Sequence, residues 1–183
     1  MKAVCVFCGS SPGRDPAFAE YATAVAERLV ARNLDVVYGG GKAGLMGVVA
    51  NRAMELGGRV IGVIPRSLVE REVAHDGLSD LKVTETMHER KKTMADYADA
   101  FLTLPGGYGT LEEVSEVLSW NQIGLYRKPV GLLNVAGYFD GLLQFFDTMV
   151  GRGFLRPEGR ALAIADTDVD RLLDRLAAMG RQP

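Results

Sequence analysis

Short apolar runs separated by amphipathic helical segments are the feature that most constrains how this chain folds. There are seven such runs, and most are almost continuous in apolar residues. Continuous runs are typical of parallel strands that helices cover on both faces of a sheet. The alternation predicts an α/β fold: a single Rossmann-like domain over residues 1–183, with a doubly wound, mostly parallel sheet. The predicted strands are 2–8, 35–38, 59–64, 81–84, 100–104, 128–133 and 161–165.

Six segments between these runs have the apolar spacing of helices. In the first of them, Phe18, Val25 and Leu29 lie on one face. The stretch 66–80, RSLVEREVAHDGLSD, is instead polar, charged and long for a connection in a compact domain, and such connections are often functional. The predicted helices are 15–32, 45–56, 86–97, 110–125, 138–150 and 168–178.

The overall composition excludes several classes of protein. With 21 Lys and Arg against 23 Asp and Glu, the formal net charge is −2, so the chain lacks the basic charge typical of nucleic-acid binding. No apolar stretch approaches the roughly 20 residues of a membrane span. The first residues, MKAVCVFCGS, are too short and too soon interrupted for a signal peptide. We therefore expect a cytoplasmic protein that binds neither nucleic acid nor membrane.

Cys5 and Cys8 form a C-x-x-C pattern, which in other settings indicates a redox or metal site. On an extended strand, residues three apart point to opposite faces, and the chain has no second cysteine pair to complete a zinc site. A thioredoxin-like pair would lie at the start of a helix, whereas these cysteines lie within the strand-like VCVFC. We expect buried structural thiols and no bound metal.

A glycine-rich turn follows the fifth predicted strand. Pro105 ends the strand, and Gly106, Gly107 and Gly109 then permit backbone conformations and close approaches that a side chain would prevent. A simple helix cap does not need so many closely approachable backbone groups. With the positive end of the following helix dipole behind them, the amides of this turn suit a phosphate.

The helix after this turn has a predicted cap. Thr110 is a preferred N-cap residue, and Glu113 three residues later completes a T-x-x-E capping box. In the functional interpretation, Glu113 is a carboxylate one helical turn inside a phosphate site. The alternative is a plain capped turn, in which Glu113 only satisfies the free amides of the helix.

A second glycine turn, GGGKAG at 39–44, formally matches the G-x-G-x-x-G pattern of dinucleotide-binding proteins. That pattern also needs an acidic residue about 20 positions later, where this sequence has VIPR. Lys42 is not in the G-K-[ST] setting of a Walker loop, so both kinds of site are disfavoured. Gly41, with Gly9 and Ser10 of the first turn, is expected to line one crevice with the phosphate site. The alternative is that these turns only connect strand to helix tightly.

The helix before the fifth strand carries an unusual face. Met87, Arg90, Lys91 and Met94 recur at the spacing of one helical face, and two cations between two methionines suit neither a core nor a solvated surface. The methionines could pack on a flat base while Arg90 reaches an anion or a carboxylate. The alternative is a partly exposed helix whose cations extend to solvent.

The motifs PGGYGTLEE at 105–113 and MHERK at 87–91 together resemble the LOG (Lonely Guy) family of cytokinin riboside 5′-monophosphate phosphoribohydrolases, whose members are often called lysine decarboxylases. The resemblance covers nearly the whole chain, including CVFCGSS near its start and YGGGKAGLMG at 38–47. It implies hydrolysis of the N-glycosidic bond of a purine nucleoside 5′-monophosphate, without cofactor or metal. The products would be the free base and ribose 5-phosphate.

The resemblance also implies catalytic roles for Glu113 and Arg90. Cleaving the bond builds positive charge on the ribose, which the Glu113 carboxylate could stabilise while it aligns or deprotonates water. Arg90 would orient Glu113 and keep it ionised, and Lys91 would contact the phosphate or the sugar. The residues expected to bind substrate are Gly9, Ser10, Gly41, Met87, Arg90, Lys91, Gly106, Gly107, Tyr108, Gly109, Thr110, Leu111 and Glu113.

Two other functions are compatible with the same fold. One is a non-catalytic protein that binds a nucleotide or the molybdenum cofactor, as carrier proteins do. An Arg90–Glu113 pair favours the enzyme, because phosphate binding alone does not need a carboxylate beside the anion. The other is a PLP-dependent lysine decarboxylase, which is disfavoured because nothing in the sequence resembles a Schiff-base lysine in a cofactor domain.

The helices predicted at 86–97 and 110–125 carry more apolar residues than one stripe against a sheet requires. LOG-family proteins are dimers with sites near the subunit interface, so the resemblance implies a homodimer built on these helices. The alternative is that packing against the protein's own sheet accounts for all of these side chains. They are Met87, Met94, Val114, Val117, Leu118, Trp120, Ile123, Leu125 and Tyr126.

Overall fold

A seven-stranded, wholly parallel sheet is the centre of the protein, in a computed structural model that describes residues 1–69 and 74–180. The strand order is β4-β3-β2-β1-β5-β6-β7, so the chain starts in the middle and winds outward in both directions. This confirms the predicted doubly wound α/β fold. The strands are β1 (Ala3–Phe7), β2 (Asp35–Tyr38), β3 (Val60–Pro65), β4 (Asp80–Thr84), β5 (Ala100–Thr103), β6 (Val130–Leu133) and β7 (Ala163–Asp166).

The six predicted helices are all present, with ends within three residues of the expected positions. Two short helices and a 3-10 turn at Val135–Gly137 were not predicted, because each has too few residues to show a periodic pattern. The helices are α1 (Ala17–Ala31), α2 (Gly44–Glu55), α3 (Arg66–Val69), α4 (Met87–Tyr97), α5 (Tyr108–Gln122), α6 (Asp140–Gly151), α7 (Pro157–Arg160) and α8 (Val169–Met179). None of the helices in 1–69 and 74–180 is both long and apolar enough to cross a membrane.

Helices cover the sheet on both faces, as the continuous apolar strands predict. Val4 and Val6 of β1 point into a cluster that α1, α2 and α8 complete. The alternate residues Cys5 and Phe7 point into a second cluster with α4 and α5. Because successive side chains of a strand face opposite sides, every position of β1 is buried.

The two cysteines lie on opposite faces of the sheet. Cys5 lies in the cluster beneath α4 and α5, and Cys8 lies in the cluster on the opposite face. Both are free and buried, and burial raises the pKa of each thiol above its usual value. The C-x-x-C pattern is therefore a pair of structural thiols, as expected from strand geometry.

The polar stretch 66–80 begins with α3, while its residues 70–73 lie outside the described part of the chain. Its second half is anchored to the second glycine turn. Ala74 forms an antiparallel bridge with Gly41, and the His75 amide donates to the Gly40 carbonyl at 2.9 Å. The His75 ring also contacts Asn51 Oδ1 at 2.7 Å, so this segment covers the end of β2.

Candidate active site

Three turns meet at the carboxyl edge of the sheet, where ligands bind in folds of this kind. The first turn and the central turn are directly bonded, since the Gly9 amide donates to the Pro105 carbonyl at 3.0 Å. The Gly9 carbonyl in turn accepts from Leu45 at the start of α2, also at 3.0 Å. A Cβ on Gly106 would lie only 2.8 Å from the Gly9 nitrogen. Glycine at this position is what permits the two turns to touch.

The start of α5 differs from the prediction. The N-cap is Gly107, in an extended conformation, and the helix begins at Tyr108. Thr110 is already inside the first turn and buried, with Oγ1 at 2.1 Å from where a Cβ on Gly106 would lie. The predicted Thr110–Glu113 capping box is therefore wrong, because Thr110 lies inside the helix instead of at its N-cap and Glu113 pairs with Arg90.

The same T-x-x-E pattern does form a capping box at the start of α4. The Glu89 amide donates to Thr86 Oγ1 at 3.1 Å, and the Thr86 amide donates to Glu89 Oε2 at 3.3 Å. The sequence analysis did not single out this second instance, although Thr86 and Glu89 have the required spacing. It fixes the first turn of the helix that carries Arg90.

Residues 1–69 and 74–180 supply no hydrogen-bond acceptor to the backbone amides of residues 107–110, in the first turn of α5. In an α-helix the first four amides have no partner within the helix, and a 15-residue helix places a positive dipole end behind them. A Cβ added at Gly107 or at Gly109 would meet no atom within 4 Å. These amides therefore lie open at the carboxyl edge, in the position predicted for a phosphate.

A buried ion pair joins α4 to α5 beside these amides. Arg90 Nη1 donates to Glu113 Oε1 at 2.8 Å, and both side chains are about nine-tenths buried. The guanidinium also donates to the Val63 carbonyl at 3.0 Å and to the Gly39 carbonyl at 3.5 Å. A Cβ on Gly39 would lie 2.1 Å from Arg90 Nη2, so glycine at position 39 makes room for this arginine.

The electrostatic setting of Glu113 is suited to acid–base chemistry. Burial raises the pKa of its carboxyl above the usual value, and the charge and hydrogen bond of Arg90 act in the opposite direction. A carboxyl whose pKa is shifted toward the working pH can exchange a proton with a bound reactant. The pair therefore holds a carboxylate at one orientation inside a largely dry site.

Comparisons with known proteins identify the family. A family model described as "Possible lysine decarboxylase" matches residues 46–176. The cytokinin riboside 5′-monophosphate phosphoribohydrolase LOG7 of Arabidopsis thaliana is 47% identical over 176 residues, which cover 96% of this chain and 81% of the relative. LOG1 of the same plant is 46% identical, over 96% of this chain and 83% of its own length. The chain belongs to the LOG family.

Solved structures of more distant proteins share the fold. The molybdenum cofactor carrier protein of Chlamydomonas reinhardtii superposes with a TM-score of 0.74 at 20% identity, over 99% of both chains. The molybdenum cofactor binding protein of Rippkaea orientalis gives 0.73 at 19% identity, over 98% of both chains. At this level of identity the likeness shows the fold alone.

Lys91, in the LOG-family motif MHERK, has partners in the structure that the sequence analysis did not predict. Lys91 Nζ pairs with Glu112 and, at 3.0 Å, with Glu116 of α5. Two carboxylates therefore match its charge, and this lysine ties α4 to α5. The expected contact of Lys91 with phosphate or sugar stays a prediction. Burial lowers the pKa of this lysine, but the bonds to Glu112 and Glu116 outweigh burial and raise it. A Schiff-base lysine must instead lose its proton readily.

The remaining predicted residues of this LOG-family chain divide into two groups. Four of them line one cleft of about 300 Å³ between the first and central turns: Gly9, Ser10, Gly106 and Gly107. Tyr108 and Met87 are exposed, Leu111 is half-buried and Gly41 is buried against Ala74. Within residues 1–69 and 74–180, no cluster of three or more His, Cys, Asp or Glu could hold a metal ion.

Several residues of the cleft were missed by the sequence analysis. Phe18 of α1 and Leu45 of α2 have the spacing of core residues and gave no functional signal. Tyr138 comes from the loop after β6, far from any motif. The cleft residues not predicted are Ser11, Pro12, Gly13, Phe18, Leu45, Pro105 and Tyr138.

The ion pair predicts a measurable shift in the titration of Glu113. Arg90→Gln should raise the pKa of the Glu113 carboxyl further, because the guanidinium that opposes the effect of burial is removed. Arg90→Lys should raise it less, since a positive charge remains. The carboxyl carbon resonance of Glu113, followed against pH in isotopically labelled protein, measures both.

Arg66→Gln is the control for this titration. Arg66 pairs with Glu85 at an exposed position, so its replacement should change the titration of Glu85 and leave Glu113 as in the wild type. Identical Glu113 titrations in wild type and Arg90→Gln would contradict the electrostatic role of Arg90.

Proposed function

We propose that this protein hydrolyses the N-glycosidic bond of cytokinin riboside 5′-monophosphates, which are N6-substituted derivatives of AMP, and of AMP itself. The products are the free base and ribose 5-phosphate. One observation carries the proposal: a buried carboxylate, Glu113, is held by Arg90 one turn inside the helix whose first amides lie open for a phosphate. The names of the LOG-family relatives support the same reaction.

The geometry of α5 matches the dimensions of the substrate. One helical turn rises about 5 Å, which is roughly the span from a 5′-phosphate to the sugar ring. A phosphate on the amides of Gly107, Gly109 and Thr110 would therefore bring the anomeric carbon near Glu113. The backbone supplies the anchor, and the side chain supplies the charge at the reacting centre.

The reaction then needs few groups. The bond between the anomeric carbon and the base nitrogen breaks with its electron pair leaving on the base, so positive charge builds on the ribose ring. The Glu113 carboxylate stabilises that charge and accepts a proton from the water that attacks the anomeric carbon. The departing base takes up a proton from solvent, and the Glu113 carboxyl returns its proton to solvent. Arg90 keeps the carboxylate in position and favours its ionised form.

Product analysis tests the proposal. The protein is incubated with AMP and with N6-isopentenyladenosine monophosphate, and the products are separated by chromatography. Free base and ribose 5-phosphate in equal amounts are the expected result. Binding of either nucleotide without any product would instead favour the carrier function that the molybdenum cofactor proteins perform with this fold.

Glu113→Gln should abolish most of the turnover while nucleotide binding persists. The amide keeps the shape of the side chain but cannot accept a proton or stabilise a cation, so kcat should fall by about 10²–10⁴-fold. Glu112→Gln is the matched control, because Glu112 is its neighbour in α5 and pairs with Lys91 instead. Near-wild-type turnover in Glu113→Gln would contradict the assignment.

Gly107→Val should block the anion site without disturbing the fold, because a Cβ at this position meets no other atom. KM for the monophosphate should rise by about 100-fold or more, since each hydrogen bond to a charged group contributes about 1.5–3 kcal/mol. Gly141→Val is the control: it also lies in open space, in the first turn of α6.

The wild type should also use the nucleoside poorly compared with its monophosphate. Binding energy from the phosphate is needed at the reacting centre, although the phosphate itself does not react. Equal values of kcat/KM for the nucleoside and the monophosphate would contradict a phosphate-anchored site.

The proposal extends to a homodimer formed through α4 and α5. Val114, Val117 and Met94 do not contribute to such a surface, because they are buried against the protein's own sheet. Exposed apolar side chains that support an interface are Met87, Tyr108, Ile123 and Leu125. Leu125 also lines a surface cleft of about 460 Å³ with His88, Lys92, Glu116, Trp120 and Tyr126.

Sedimentation at micromolar concentration tests the homodimer. Leu125→Asp should shift the protein toward monomer, because a charge at an apolar interface is costly to bury. Leu56→Asp is the control, since Leu56 is an exposed leucine at the end of α2, on the other face of the sheet. A wild-type monomer with full activity would overturn this part of the proposal.

The two free cysteines fit a reducing compartment, and we propose the cytoplasm as the location.

A further inference from the structure

The loop that follows β6 forms another wall of the carboxyl edge. Asn134 organises it, since its Oδ1 accepts from the Phe139 amide and its Nδ2 donates to Asp140, both at 2.7 Å. Between these anchors, Ala136 has a φ of 49°, a left-handed conformation that residues with a side chain seldom adopt. Such a conformation persists only where its surroundings impose it, and instances concentrate at functional sites.

This loop presents one side chain to the central glycine turn. The Tyr138 hydroxyl donates to the Gly106 carbonyl at 2.6 Å. Its ring packs edge-on against Phe18, with centroids 5.6 Å apart, and against Phe139, with centroids 5.1 Å apart. Tyr138 is half-exposed, and it lines the same cleft as Gly106 and Gly107.

Peptide geometry connects this hydrogen bond to the anion site. A trans peptide is planar, so the carbonyl of one residue and the amide of the next point in opposite directions. Because the Gly106 carbonyl points toward the Tyr138 hydroxyl, the Gly107 N–H points away from Tyr138. The part of the chain that the structure describes supplies no acceptor for that amide, which leaves it available to an anion.

Glycine at 106 and 107 makes such a restraint necessary. Neither residue has a side chain that limits rotation of the peptide between them, and glycine loses more conformational freedom on ordering than any other residue. A Cβ on Gly107 would meet nothing, so packing does not fix this peptide on that side. Among the described residues, the Tyr138 hydroxyl makes the directional contact with this peptide, through the Gly106 carbonyl.

We infer that Tyr138 is a positioning residue, which aims the Gly107 amide at the substrate phosphate through the Gly106 carbonyl. The inference rests on the proposed function in that the bound anion is the 5′-phosphate of a nucleotide. Tyr138 touches no reacting atom in this arrangement. Its contribution therefore belongs to phosphate binding and not to cleavage of the glycosidic bond.

Tyr138→Phe tests this role, because it removes the hydroxyl and keeps the ring contacts with Phe18 and Phe139. KM for the monophosphate and the inhibition constant of ribose 5-phosphate should both rise about three- to tenfold, the effect of one neutral hydrogen bond. The value of kcat should change less than twofold, and the melting temperature should stay close to that of the wild type. A merely structural tyrosine would change the melting temperature and neither binding constant.

Tyr97→Phe is the matched control. Tyr97 is a half-exposed tyrosine at the end of α4 whose ring lies 5.9 Å from Lys82 Nζ, at the opposite edge of the sheet. It should leave KM and the inhibition constant unchanged. Calorimetric titration with inorganic phosphate gives a readout that does not depend on turnover.

The outcomes separate this inference from the proposed function. If the wild type hydrolyses the monophosphate but Tyr138→Phe keeps wild-type values of KM and of both anion affinities, the role of Tyr138 is wrong and the function stands. If the wild type hydrolyses no nucleotide yet binds phosphate more tightly than Tyr138→Phe does, the anion site and Tyr138 stand, and the proposed reaction is wrong.

Discussion

The buried pair between Arg90 and Glu113 constrains much of the carboxyl edge. Two charges removed from water are stable only when each is paired and the remaining donors are satisfied. Arg90 meets this condition through the carbonyls of Val63 and Gly39 as well as the carboxylate. One guanidinium thus links α4, the end of β3, the second glycine turn and α5, and it requires the absence of a side chain at position 39.

Glycines in the central turn serve two different physical purposes. Gly106 is needed because the backbone of the first turn and the side chain of Thr110 occupy the space that a Cβ would take. Gly107 has no such neighbours, and its value is that it leaves the amides at the start of α5 accessible. A close approach between two turns and an open anion site therefore lie side by side. This explains why consecutive glycines precede the helix.

Fold and site carry different information about function. The molybdenum cofactor carrier protein of Chlamydomonas reinhardtii shares the fold at 20% identity, so the parallel sheet and its turns do not by themselves distinguish an enzyme from a carrier. A sheet of this kind determines where a ligand binds, because the carboxyl ends of the strands meet at one edge. The chemistry depends on which side chains reach that edge. In the proposed function, the decisive one is the Glu113 carboxylate, which lies buried and paired with Arg90.

Local patterns in the sequence determined the strands, the six longer helices, the glycine-rich turn before α5 and the placement of Arg90 and Lys91 on one helix. Each depends on residues close together in the chain, whose backbone preferences act directly. Tertiary structure decided which T-x-x-E motif became a capping box: Thr86–Glu89 did, whereas Glu113 pairs with Arg90, 23 residues away. It likewise paired Lys91 with two carboxylates and brought Tyr138 to Gly106. Such contacts depend on how distant segments are placed together, and no local pattern encodes that placement.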